Sequence, residues 1–127
     1  MRYTTTFICS VFLLLLLSGC TNAADQHQLS IGEFLSALEL NGLKVGEKSD
    51  KAYGLIMAVD GTGVKVNDES LEVYQYDTTI KSGKEAIKKW NAEGIMGQPV
   101  IVNKNLLIIK KPKHPEWERI VDIFNGL

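Results

Sequence analysis

The stretch YGLIMAVDGTGVKVNDESLEVYQYD, residues 53–77, decides the fold class. Its apolar run at 55–59 halts at Asp60-Gly61-Thr62-Gly63, a cluster of turn formers that reads as a hairpin turn. Beyond the glycines Val64 and Val66 alternate with Lys65 and Asn67, and from Leu71 the run LEVYQYD is dense in β-branched and aromatic residues. Period-two patterning between turn signals is the mark of half-buried strands, so consecutive strands are expected here. A second β segment, PVIVNKNLLIIKK at 99–111, reads as a hairpin turning near Asn103-Lys104-Asn105.

Helix signals flank these strands. Ser30 and Glu33 have the spacing of a capping box, Leu29 and Phe34 that of a hydrophobic staple, and Asn41-Gly42 followed by Leu43 fits a glycine C-cap. Between them Phe34, Leu35 and Leu38 form one apolar stripe. The run SGKEAIKKWNAEGI at 82–95 repeats the grammar, with Ser82 and Glu85 as the expected capping box and Gly94-Ile95 as the stop. Capping physics alone produces that repeat, and the segments after the two helices do not align, so it does not establish a duplication. A third helix is expected from Pro115, with Trp117, Ile120, Val121 and Phe124 on one face and Gly126 closing it.

The element order α-β-β-β-α-β-β-α implies an α+β domain of two layers: an antiparallel sheet of about four to five strands carrying three helices. Residues 55–59, 100–102 and 106–109 are apolar at both parities, which a sheet with one wet face does not need. Either the first helix crosses to cover the second face, or that face is left for an envelope partner or for a homodimer. Intramolecular cover is favoured, because large exposed apolar patches are uncommon on monomers. Tyr74 and Tyr76 share one side of their strand and would belong to whichever surface stays open, as a possible partner face.

Outside the folded region, the N-terminus has an export signal's layout: Arg2, an apolar run from Phe7 to Leu17, then small residues. Eleven apolar residues fall well short of the roughly 20 that a spanning helix needs. Leu17, Ser18, Gly19 and Cys20 resemble the lipobox of bacterial lipoproteins. That resemblance implies a diacylglyceryl group on the Cys20 thiol and cleavage just before it by a signal peptidase recognising Leu17, Ser18 and Gly19. The alternatives are a plain secretory signal, which would share the charge and the apolar run, and a buried apolar segment whose cysteine is accidental; neither calls for the four positions ending in Cys20. The expected layout is a cleaved signal at 1–19, lipidated Cys20 with a polar tether to 28, and a single domain at 29–127. Two acyl chains of roughly 15 methylenes each, at about 0.8 kcal/mol per methylene, hold on the order of 20 kcal/mol, in effect permanently. The tether TNAADQHQ, eight residues, reaches at most roughly 26 to 29 Å.

Composition narrows the chemistry. Cys9 would leave with the signal and Cys20 would become a thioether, so the mature domain holds no thiol for disulfides, thiolate catalysis or zinc. Loss of Arg2 leaves 13 basic against 15 acidic side chains, a net charge near −2 that disfavours nucleic acid. The run DGTGVKVNDESLEVYQYD, a lysine-rich amphipathic helix and a short apolar hairpin look like small lipoproteins of Gram-positive-type bacteria, a family that lends no activity.

The catalytic search returns little. Gly61-Thr62-Gly63 lacks both the dinucleotide-loop spacing and a phosphate-binding lysine, and residues 60–69 put Val64 and Val66 where a Ca²⁺ loop wants oxygens. No metal or cofactor is expected. His27 falls in the tether and His114, before Pro115, reads as a helix-start or loop residue. Asp60, Asp68, Glu69 and Asp77 are the carboxylates open to acid–base work, with nothing in the sequence to pair two of them. Lys110, Lys111 and Lys113, with His114, form the one local charge feature that bears on binding, a possible contact for anionic headgroups or wall polymers, against the plainer reading of a solvated hairpin end. The leading expectation is a noncatalytic binding or interaction module of the cell envelope, anchored to the cell membrane, or to the outer membrane of a two-membrane bacterium, with an envelope protein as partner. A small hydrolase using carboxylates and a membrane-surface sensor using the lysines are the alternatives.

Overall fold

The computed structural model describes residues 27–127. The expected signal and its recognition residues Leu17, Ser18 and Gly19, the lipidation site Cys20 and residues 21–26 of the tether lie outside the described residues. In chain order the domain consists of α1 (Ile31–Leu40), β1 (Val45–Asp50), a short 3-10 turn η1 (Tyr53–Ile56), β2 (Asp60–Val66), β3 (Glu69–Gln75), α2 (Lys81–Glu93), β4 (Val100–Asn103), β5 (Leu106–Ile109) and α3 (Trp117–Asn125). This is the α+β order expected from the sequence. The five strands form one antiparallel sheet in the order β1-β2-β3-β5-β4.

α1 is built as its sequence specifies. The Ser30 hydroxyl accepts the Glu33 N–H while the Glu33 carboxylate accepts the Ser30 N–H. At the other end Gly42, with φ +82°, lets Leu43 N–H reach back to the Leu38 carbonyl and its own N–H reach Glu39, the double bond of a Schellman cap. α2 departs from expectation. Ser82 does not cap it; the helix begins at Lys81 with Ile80 in the cap position. Asp77 Oδ1 instead accepts the N–H of Thr79 in an Asx turn, which turns the chain into the helix before Ser82 is reached. Gly83 then lies against the Asp77 backbone, where a Cβ would stand 1.9 Å from the carbonyl oxygen.

Two strand assignments are corrected. The hairpin turn is not at Asp60-Gly61-Thr62-Gly63, which lies within β2; it is at Asn67-Asp68, both with positive φ, the backbone of a two-residue type I′ turn. Residues 55–59, expected as strand, belong to η1 and the connection after it. The polar segment Val45–Asp50 supplies the edge strand instead, paired to β2 from Val45↔Val66 to Asp50↔Thr62. The β4–β5 turn falls at Lys104-Asn105, as expected.

The sheet carries helices on both faces, so the two expected layers gain a partial third. On the first face Val64, Val66, Leu71, Val73, Leu106 and Ile108 pack under α1 and α3, whose Phe34 and Phe124 rings meet edge to face with centroids 5.2 Å apart. On the second face Tyr74, Tyr76, Leu107 and Ile109 lie with Val100 under Ala86 and Ile87 of α2 and Ala58 of the η1 connection. The second face is therefore covered by α2, not by α1. β3 and β4 run in the same direction on either side of β5, so joining them demands a crossover, and α2 is that crossover. β5, flanked by β3 and β4 and covered on both faces, is buried at every position, which explains its unbroken apolar run.

The sheet has two distinguishable ends. At the proximal end stand Asp60, Gln75 and the Lys104-Asn105 turn; at the distal end stand the Asn67-Asp68 turn, Ile109 and Val100. Strands of seven residues at about 3.3 Å per residue put about 20 Å between them. Gln75 and Asn105 tie the start of the domain to the proximal end: the Gln75 side-chain oxygen accepts the Ile31 N–H, and Gln28 bonds Thr78 through both its amide atoms.

Candidate functional site

Tyr74 and Tyr76, expected on a face open to a partner, are 8% and 1% exposed. α2 and η1 cover their rings, and that cover removes them as a contact surface. The part of the second face that stays open is polar and lies toward β1. Opposed residues of antiparallel strands share a side, so Ser49, Gly63 and Glu72 stand in one row across β1, β2 and β3. With Lys51, Lys65 and Ser70 they line a shallow groove of about 290 Å³. Gly63 provides the floor, since a Cβ there would come within 2.7 Å of Lys51 Cε and 2.6 Å of Ser49 Oγ.

Glu72 is the charged centre of this groove. One carboxylate oxygen lies 3.4 Å from Lys51 Nζ and the other accepts the Tyr74 hydroxyl at 3.2 Å. Burial first, then the Glu72 charge and that hydrogen bond, push the Tyr74 hydroxyl up to about 12, so it stays a donor throughout the neutral range. The arrangement offers alternating hydroxyl, ammonium and carboxylate groups suited to hydrogen-bonding a polar ligand or a peptide.

The expected lysine cluster does converge. Lys110, Lys111 and Lys113 line an open distal groove of about 470 Å³ with Glu69, Gln98 and His114. His114 is 7% exposed and both ring nitrogens are used: Nδ1 accepts the Glu116 N–H at 3.0 Å, so Nε2 carries the proton and donates to the Val66 carbonyl at 3.0 Å. That imidazole joins the start of α3 to the end of β2 rather than facing a ligand. His27, near the start of the domain, sits 3.4 Å from Glu33.

The carboxylates singled out from the sequence divide between the ends. Asp60 accepts the Gly61 N–H and Asp77 the Thr79 N–H at the proximal end, while Asp68, 3.8 Å from Lys44, lies in the distal turn and Glu69 follows it. Among the described residues there is no group of three or more His, Cys, Asp or Glu placed to hold a metal ion. No helix among them is long and apolar enough to cross a membrane.

Glu72, Lys51 and Ser49, and the clamp residues Asn105 and Gln75, were not singled out by the sequence. Their roles arise from strand register and from a partner 76 residues away, and neither leaves a local pattern. Fold and grooves together define an α+β domain of three helices on a five-stranded antiparallel sheet, with polar grooves and no metal cluster among the described residues. Compared with protein-family models, curated proteins and solved structures, the chain matches none.

Proposed function

We propose that this chain is a lipid-anchored, noncatalytic interaction module of the bacterial cell envelope, held outside the cytoplasm by acylated Cys20 and serving an envelope protein partner. The observation that carries the reading is the sequence Leu17-Ser18-Gly19-Cys20, set behind an apolar run too short to span a bilayer and ahead of a short polar tether. Surface chemistry adds support. The distal lysine groove lies about 20 Å of sheet away from the end where the tether joins, a separation that suits partners beyond the membrane better than the anchoring lipid. That separation weighs against the surface-sensor alternative. The carboxylate hydrolase is weakened in the same way, because Asp60 and Asp77 stand at one end and Asp68 and Glu69 at the other, each engaged in or beside a turn.

Metabolic labelling of cells expressing the full chain with a fatty-acid analogue tests the reading. The protein should take up label, and Cys20→Ser should lose it and accumulate as the uncleaved precursor. Unlabelled wild-type chain would overturn the proposal.

A further inference from the structure

Seven large apolar side chains are exposed among the described residues, and they are not scattered evenly. Tyr53, Leu55, Met57 and Val59 fall within one connection, and Ile80 precedes α2; the other two, Leu40 and Met96, lie elsewhere. The connection leaves β1 after Asp50 and rejoins the sheet at the proximal end, where Val59 N–H donates to the Gln75 carbonyl at 2.8 Å. The same Gln75 holds Ile31 through its side chain, and Thr78, two residues before Ile80, holds Gln28. Five exposed apolar residues therefore gather on the shoulder of the domain where its N-terminal tether joins.

We propose that this shoulder docks on the lipid bilayer surface, placing Leu55, Met57, Val59 and Ile80 at the headgroup and acyl boundary. The inference rests on the lipid-anchor reading of Cys20. A tether of at most roughly 26 to 29 Å brings the proximal end, before any other part of the domain, within reach of the anchoring membrane. Exposed apolar side chains carried on a connection with a polar rim suit an interface that is apolar below and wet above. Charge fits as well: Lys84 and Lys88 line the exposed side of α2 beside the shoulder, where Lys81 is paired with Glu85 at 3.8 Å, and anionic headgroups attract such cations. The nearby carboxylates are occupied locally, Asp60 by the Gly61 N–H and Asp77 by the Thr79 N–H. A docked shoulder would fix the orientation of the domain and turn the distal lysine groove away from the membrane.

With Cys9 lost in the signal and the Cys20 sulfur a thioether, the processed chain carries no free thiol, so a single introduced cysteine takes a fluorophore cleanly. Leu55→Cys and Ile80→Cys report on the shoulder; Leu40→Cys and Met96→Cys, at least as exposed, report on distal positions. Each full chain is purified in its processed form, its intact mass is measured, and it is reconstituted into vesicles of phosphatidylglycerol and phosphatidylethanolamine carrying nitroxide-labelled acyl chains. The expected result is acylated protein with a blue shift and several-fold lipid quenching at Leu55 and Ile80, and neither at Leu40 and Met96. Acylated protein whose four positions are quenched alike overturns the docking and leaves the anchor standing. A blue shift without lipid quenching assigns the shoulder to a second protein and overturns it too. A mass without acyl chains overturns the anchor reading and this inference together.

Discussion

Asn105 grips Leu29 with both ends of its amide: the side-chain oxygen accepts the Leu29 N–H at 2.8 Å and the side-chain nitrogen donates to the Leu29 carbonyl at 2.7 Å. The second N–H of the same nitrogen reaches the Tyr76 carbonyl at 3.1 Å, and the residue is 1% exposed. One side chain thus stands in for a strand partner and fastens the backbone just ahead of α1 to the β4–β5 turn. Asn105→Ala strands a buried N–H and two carbonyls, each unsatisfied group costing about 1 to 3 kcal/mol. A loss of about 2 to 4 kcal/mol is expected in denaturant unfolding. Asn105→Asp keeps the acceptor but sets a carboxylate against two carbonyls, and is expected to be no more stable than the alanine variant.

The glycines of β2 give a second expectation. Neither Gly61 nor Gly63 has positive φ, so alanine would ordinarily gain about 0.4 to 1 kcal/mol by restricting the unfolded chain. At Gly61 that gain is overwhelmed, because the new methyl would meet the Tyr74 ring at 2.6 Å and Tyr53 Cβ at 2.8 Å, and the buried ring cannot yield cheaply. Gly61→Ala should destabilise by about 1 to 3 kcal/mol. Gly63→Ala meets the mobile end of Lys51 and the Ser49 hydroxyl instead, so its cost should be smaller. Thermal unfolding of the two variants side by side checks the ranking.

These contacts also explain what the sequence could and could not convey. Ser30 and Glu33 act within one turn of each other, and Gly42 acts within one turn of Leu38 and Glu39, so α1 was legible from spacing alone. The buried run of β5 was legible because a strand covered on both faces needs no alternation. Residues 55–59 carry the same apolar signal, yet leave Leu55, Met57 and Val59 exposed, since local hydrophobicity does not say which run will find a cover. β1 is a strand by virtue of β2's free edge, and VGEKSD on its own has no apolar period. Among the site residues the lysine cluster was readable as neighbours in sequence. Its distance from the tether was not, because that depends on Gln75 and Asn105.

Alkali should probe the tyrosines of the second face. Burial raises the hydroxyls of both Tyr74 and Tyr76, with the Glu72 charge adding to the first. A group whose folded value lies above its unfolded value binds more protons when folded, so stability is fully present below about pH 10 and falls as the pH rises toward 12. Phenolate absorbance should therefore appear together with loss of tertiary structure in that window. Tyr74→Phe should lessen the pH dependence there. An unchanged slope in that variant would mean that Tyr74 is not the linked group.

The Ile56 carbonyl accepts two hydrogen bonds, from the Tyr76 hydroxyl at 3.1 Å and from Trp90 Nε1 at 2.9 Å, and these pin η1 against α2. Tyr76→Phe and Trp90→Phe each remove one donor while leaving the carbonyl a partner, so each should cost about 1 kcal/mol. The double variant leaves that oxygen with neither donor, and its cost should exceed the sum of the singles in a double-mutant cycle. Hydrogen exchange localises the effect: Ala58, whose N–H bonds the Tyr53 carbonyl, should lose protection in the double variant, while Val73 and Ile108 in the sheet centre keep theirs. Equal loss at all three positions would show that the two donors support the whole domain and not the η1 connection alone.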